Sequence, residues 1–213
     1  LMRDGGEYDA IQPVWDWRRL PGITAPQNPG PLPVLTWSGY TNGSAFVGGV
    51  SDGRCGLAAM DFRRNTLALR KAWFFFDDEI VCLGAGVAYT SNSSPVVTTV
   101  NQCLLRSAAT VPTGTATRTL SPGTSPLAGT GWVHQDGVGY LFPGAPTGLW
   151  AAVQAQTGSW YSINTSKSAA IVTQDVFTLW IDHGTNPADG SYAYALRPED
   201  RKSTRLNSSH VSQ

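Results

Sequence analysis

Leu67-Ala68-Leu69-Arg70-Lys71-Ala72-Trp73-Phe74-Phe75-Phe76-Asp77-Asp78-Glu79-Ile80-Val81-Cys82-Leu83 is the stretch that decides the fold class. Two apolar runs flank Asp77-Asp78, residue types that tolerate the backbone angles of a tight β-connection. The stretch therefore reads as an antiparallel hairpin. Along its first arm Trp73 and Phe75 point to one face and Phe74 and Phe76 to the other, because successive side chains of a strand alternate. Apolar groups on both faces suit a strand held between two layers, and so a thick sandwich of several sheets.

Working outward, runs rich in β-branched and aromatic residues recur at 46–50, 56–62, 96–105, 132–134, 139–142, 159–164, 169–173, 176–182 and 192–196, punctuated by Gly, Pro, Asn, Asp and Ser. Each is predicted to be a strand. No stretch keeps a long 3.6-residue apolar period, so no helix of consequence is expected. Composition agrees, with 23 Gly, 14 Pro and 8 Trp among 213 residues and only 14% charged, against roughly 25% in ordinary domains. Pro29, Pro31 and Pro33 mark an extended connection that cannot pair in a central strand. Residues 107–131, dominated by Ser, Thr, Gly, Ala and Pro, are predicted to form a long surface excursion.

Charge and hydropathy narrow the partners. Fifteen basic and fifteen acidic residues cancel, which provides no field for nucleic acid or an anionic membrane. The apolar run at Ala72–Phe76 is far below the roughly 20 residues that cross a bilayer. Leu1 to Gly6 carries no apolar secretory segment and reads as an internal start. Cys55, Cys82 and Cys103 are widely spaced among small or apolar neighbours, as buried free thiols are. His134, Asp136, Asp182 and His183 lack the close spacing of a zinc motif, so no metal and no cofactor is expected. Arg63, Arg64, Arg70 and Lys71 read as a charged strand edge. From Arg201 the text has little to bury, and Lys202–Gln213 resembles translated adapter sequence. Residues 201–213 are therefore expected to be an artefactual disordered tail.

Several ordered blocks carry a resemblance: Glu7-Tyr8, Ile11-Gln12-Pro13-Val14-Trp15-Asp16-Trp17-Arg18-Arg19-Leu20-Pro21-Gly22-Ile23-Thr24, Phe46 to Gly53, Ala59 to Phe62, Lys71 to Gly84, Thr98 to Gln102, Trp132 to Tyr140, and Phe177 to Gly184. In this order they resemble the central domain of polysaccharide lyase family 8, which contains hyaluronate, chondroitin AC and xanthan lyases. The resemblance implies an all-β, large antiparallel multi-sheet super-sandwich, galactose-mutarotase-like, truncated at both ends. Residues 1–24 would be the interdomain linker and domain entrance, and 25–200 the C-terminally incomplete sandwich.

The same resemblance implies chemistry. Family members cleave uronic-acid-containing glycans of hyaluronan, chondroitin or xanthan type by β-elimination. The main catalytic Asn, His, Tyr and Arg lie on an N-terminal α/α toroid that this chain lacks, so the fragment alone is expected to be inactive. The implied partners are an acidic polysaccharide and that toroid; the implied location is secreted or periplasmic in a bacterium. The family's supporting Glu, which orients the toroid's Arg, is matched here to Glu79; a solvated strand-start carboxylate is the other reading of that residue. Of Asn101 and Gln102 only one can face a cleft, and Asn101 is the candidate for a substrate-side role beside the alternative of a structural amide. A non-catalytic glycan-binding or spacer β-sandwich is the competing function. Trp15 and Trp17 are assigned to packing at the domain entrance.

Overall fold

The computed structural model describes residues 4–32, 41–90 and 94–198. Pro33 and the tail 201–213 lie outside the described residues. The described chain is built from fourteen strands: β1 (Thr24–Pro26), β2 (Val47–Ser51), β3 (Gly56–Arg64), β4 (Leu67–Phe75), β5 (Ile80–Ala88), β6 (Pro95–Leu104), β7 (Thr110–Thr113), β8 (Ala116–Thr119), β9 (Gly123–Pro126), β10 (Trp132–Gln135), β11 (Val138–Leu141), β12 (Leu149–Gly158), β13 (Val172–Thr185) and β14 (Gly190–Pro198). Three single-turn 3-10 helices, Gly6–Tyr8, Gln12–Val14 and Trp160–Ser162, are the helical elements among the described residues.

The strands form two antiparallel sheets. One runs β1-β6-β13-β12-β9 and the other β2-β3-β4-β5-β14-β11-β10-β7-β8. The hairpin of Leu67–Leu83 is present as expected: Phe75 pairs with Ile80, and the Phe76 amide donates to the Glu79 carbonyl at 2.9 Å, with Asp77-Asp78 at the tip. The two sheets close on a core in which Tyr140 meets Phe177 and Phe142 meets Tyr194, at centroid separations of 6.0 and 6.4 Å.

Four expectations need correcting. Residues 159–164 are a 3-10 turn, capped where the Ser162 amide donates to the Ser159 hydroxyl. Residues 169–173 are largely loop; from Val172 they join 176–182 in one fourteen-residue strand. Leu149–Gly158 is a ten-residue strand that the Ala- and Gln-rich text concealed, because its stability comes from pairing with β13 along its whole length. The excursion at 107–131 contains β7, β8 and β9, and its Val111, Leu120 and Leu127 are buried in the core.

Residues 5–23 form a strap over the outer face of the smaller sheet. Ile11 and Val14 pack on Val176, with Trp15 alongside. Gln102 fastens the strap: its Oε1 accepts from the Asp16 amide at 2.8 Å and its Nε2 donates to the carbonyls of Asp16 and Arg19. The Arg19 guanidinium lies 4.1 Å over the Trp180 ring, which in turn stacks on Trp150.

Candidate functional site

Strand register places several sequence-distant features at one end of the sandwich. Gly56, Phe75, Ile80, Leu196, Tyr140 and Val133 form a single cross-strand row of the larger sheet. Beyond that row lie the turns at Asp52–Cys55, Phe76–Glu79 and Asp136-Gly137. The matching end of the smaller sheet carries Leu104, Gly158 and the 3-10 turn Gly6–Tyr8. A small cavity joins the two sheets there, with Glu7, Asn101 and Cys103 on one side and Gln135, Tyr140 and Leu196 on the other.

A bulge aims the smaller sheet at this cavity. Leu179 pairs with Asn101 but Trp180 pairs with Thr99, so Val100 is an extra residue. An inserted residue re-aims its neighbours, and both Val100 and Asn101 line the cavity while Gln102 turns outward to the strap. Asn101 is 8% exposed. Its Oδ1 accepts the Tyr8 hydroxyl at 2.7 Å and its Nδ2 donates to the Tyr140 hydroxyl at 2.7 Å. Contact with substrate would require Asn101 to release one of those tyrosines. Burial holds the Tyr140 phenol well above its ordinary pKa, with the Cys103 thiol adding to the effect. Burial also pushes Tyr8 up, and drives the Cys103 thiol up to about 12. None of these groups is ionised at neutral pH, so the cluster donates and accepts hydrogen bonds without carrying charge.

Charge is concentrated at the mouth. Arg106 lies 2.6 Å from Asp4, 3.5 Å from Asp136 and 3.7 Å from Glu7. Its hydrogen bond holds the Asp4 carboxyl well below the usual carboxylate range. Glu7 is only 6% exposed, the most buried carboxylate among the described residues. Glu79 stands on the same rim at the foot of the β4–β5 turn, half-buried, and its carboxylate has no hydrogen bond or ion pair among the described residues. Its neighbours Asp77 and Asp78 are exposed and engaged by Arg54 at 2.6 Å and Arg197 at 3.2 Å. The basic cluster divides: Arg63 pairs with Asp61, whereas Lys71 turns inward and donates its Nζ to the Gly22 carbonyl.

His183 sits in a second polar seam on the inner face. Its Nε2 lies 2.8 Å from the Thr98 hydroxyl, which lies 2.8 Å from that of Thr24. Burial lowers the His183 pKa despite the opposing pull of Asp182. It is not brought to the rim cluster, and among the described residues no three His, Cys, Asp or Glu side chains gather as a metal would need.

Residues 1–209 match the model of the polysaccharide lyase family 8 super-sandwich domain. The chain belongs to polysaccharide lyase family 8. Over 195 residues it is 40% identical to chondroitinase-AC of Pedobacter heparinus, covering 91% of this chain and 27% of that protein. Over 160 residues it is 39% identical to a xanthan lyase of a Bacillus species, covering 68% of this chain and 17% of that one. A solved chondroitinase AC lyase superposes with a TM-score of 0.82 at 36% identity, over 95% of this chain and 30% of its own. The chain thus spans less than a third of these family 8 relatives. Sequence reasoning passed over Glu7 and Gln135. Glu7 opens the first block resembling family 8, but its burial depends on Arg106 and β10 arriving from far along the chain.

Proposed function

We propose that this domain forms one wall of the substrate cleft of a family 8 lyase that cuts a uronate-containing glycan by β-elimination, the acid–base groups arriving on an N-terminal α/α toroid. The reaction removes the C5 proton of the uronate, forms the C4–C5 double bond and expels the C4 oxygen, which takes up a proton. That requires neutralising the uronate carboxylate, a base and an acid. The uncharged tyrosine–amide cluster and the carboxylates of the rim suit a supporting role. They hold a cationic partner in place and leave proton transfer to other groups.

One observation carries this reading: Glu79, Glu7, the cavity and the strap's first turn occupy the same end of the sandwich. Glu79 is the half-buried candidate for a carboxylate that orients an arginine of the partner domain, its side chain free of any bond among the described residues. Burial favours Glu7 for the same role, since a desolvated carboxylate holds a facing cation more firmly than one in water. Asn101 serves the substrate side indirectly by fixing Tyr8 next to Glu7. A polymeric substrate acts outside the cytoplasm, which accords with a secreted or periplasmic lyase.

The test uses the full-length lyase carrying this domain, with hyaluronan, chondroitin and xanthan as substrates and the ultraviolet absorbance of an unsaturated uronate as readout. Glu7→Gln and Glu79→Gln are compared. A fall in kcat of about a hundredfold in one of them assigns the supporting carboxylate. Absence of the absorbance with the unsubstituted enzyme on every polymer, together with retained polymer binding, would establish the non-catalytic glycan-binding sandwich instead.

A further inference from the structure

Gln135 ends β10 inside the cavity, 1% exposed, with its Oε1 taking the Cys103 thiol at 3.6 Å. Its Nε2 has no hydrogen-bond partner among the described residues. A buried amide N–H is almost always paired, to protein or to ordered water. A second donor points the same way. The Tyr140 oxygen accepts from Asn101 Nδ2, so its own O–H remains to be donated. Both groups line the cavity, as does the Glu7 carboxylate, an acceptor.

The size of that cavity is selective. At about 20 Å³ it is too small for a sugar ring, and it exceeds the roughly 10–15 Å³ that one water needs. Val100, Val138 and Leu196 close its apolar side, so a guest would be held by the polar groups alone. Water is the ligand that can accept twice and donate at once. A buried water typically makes about three hydrogen bonds, which Gln135 Nε2, the Tyr140 hydroxyl and Glu7 can supply; Asp136 also lines the cavity, with its carboxylate 3.5 Å from Arg106.

We infer that the cavity holds one tightly bound water that accepts from Gln135 Nε2 and from the Tyr140 hydroxyl and donates to the Glu7 carboxylate, making Gln135 a positioning residue for Glu7. The water site stands on the cavity alone, whereas its consequence for catalysis rests on the lyase reading above. Through this water the Tyr8–Asn101–Tyr140 chain is joined to Glu7 and so to Arg106.

The experiment has two arms. A crystal structure of the chain at atomic resolution is expected to show one full-occupancy water within hydrogen-bond distance of Gln135 Nε2, Tyr140 Oη and Glu7. Gln135→Met, close in volume but with no donor, should lose it, and Gln135→Asn should keep it. A dry cavity, or a water undisturbed in Gln135→Met, overturns the site. In the full-length lyase, Gln135→Met should lower kcat about tenfold at unchanged KM, with Gln135→Asn restoring most of the loss. An unaltered kcat overturns the positioning role. A lyase with no activity before substitution condemns the functional reading and leaves the water to be judged by the crystallographic arm.

Discussion

The carbonyl oxygen of Pro13 lies 1.7 Å from the point where a Cβ on Gly158 would stand, so the strap and β12 meet backbone against backbone. No side chain fits between them. Gly158→Ala is expected to lift the turn Gln12–Val14 away, loosening the contact of Ile11 and Val14 with Val176. The expected loss is about 1–3 kcal/mol, typical of overpacking, seen as a lower urea midpoint at unchanged slope. An unaltered midpoint would mean that the strap contributes nothing to stability.

Lys71 supplies a pH dependence. Burial depresses its amine to about 8 from 10.5. The unfolded chain keeps that proton up to the higher value while the folded chain releases it near 8, so across this window the folded state binds fewer protons and stability rises with pH. Below pH 8 the full cost of burying the cation is present. Lys71→Met should stabilise the domain at pH 7 by about 2 kcal/mol after allowance for residual solvent screening, and should flatten stability between pH 8 and 10. Parallel pH profiles of the two proteins would refute this origin.

The three thiols should separate by reactivity. Burial pushes the Cys82 thiol up and the Cys103 thiol to about 12, whereas Cys55 is only half-buried. Thiolate is the reactive form. Titration with a chromogenic disulfide at pH 8 should label one cysteine per folded chain, identified as Cys55 by peptide mapping, and three in urea. Rapid labelling of Cys103 in the folded chain would contradict the described packing.

Replacing Asn101 by Leu removes the amide's bonds to Tyr8 and Tyr140, with those to the Gln102 amide and the Cys103 sulfur, while filling the space. The hydroxyls of Tyr8 and Tyr140 would each lose a 2.7 Å partner within buried surroundings. Losing a hydrogen bond at a largely buried polar group costs about 1–3 kcal/mol, so a loss of about 3 kcal/mol is expected by chemical denaturation. Adding Tyr140→Phe to the same chain should recover part of it, because one of the two hydroxyls that lost its amide partner is then gone. A loss that does not shrink in the double variant would show that the two residues are not coupled.

Much of this architecture is legible in the text because the signals are local. Alternation along Leu67–Phe75 and the Asp77-Asp78 turn specify a hairpin whichever strands lie beside it. Leu149–Gly158 was not legible, since Ala and Gln favour no strand by themselves and become one only when β13 pairs with them in register along the whole length. The site divides in the same way. Asn101 could be singled out as an amide within a Thr- and Val-rich strand and Glu79 through its match to the supporting Glu of family 8, but the burial of Glu7 and the aim of Gln135 could not.

By itself the sequence determined that the chain is all-β, that Asn101 and Gln102 face opposite ways, and that ordered blocks align it with a lyase family. Those properties follow from side-chain alternation, turn chemistry and order along the chain, none of which needs a distant partner. Only the tertiary structure decided that Asn101 is spent on Tyr8 and Tyr140 and that Gln102 fastens the strap. It also placed Glu7 with Arg106 at a water-sized cavity. Those outcomes depend on a single inserted residue at Val100 and on register between strands far apart in the chain, where the free energy belongs to pairs of segments and no one segment carries it.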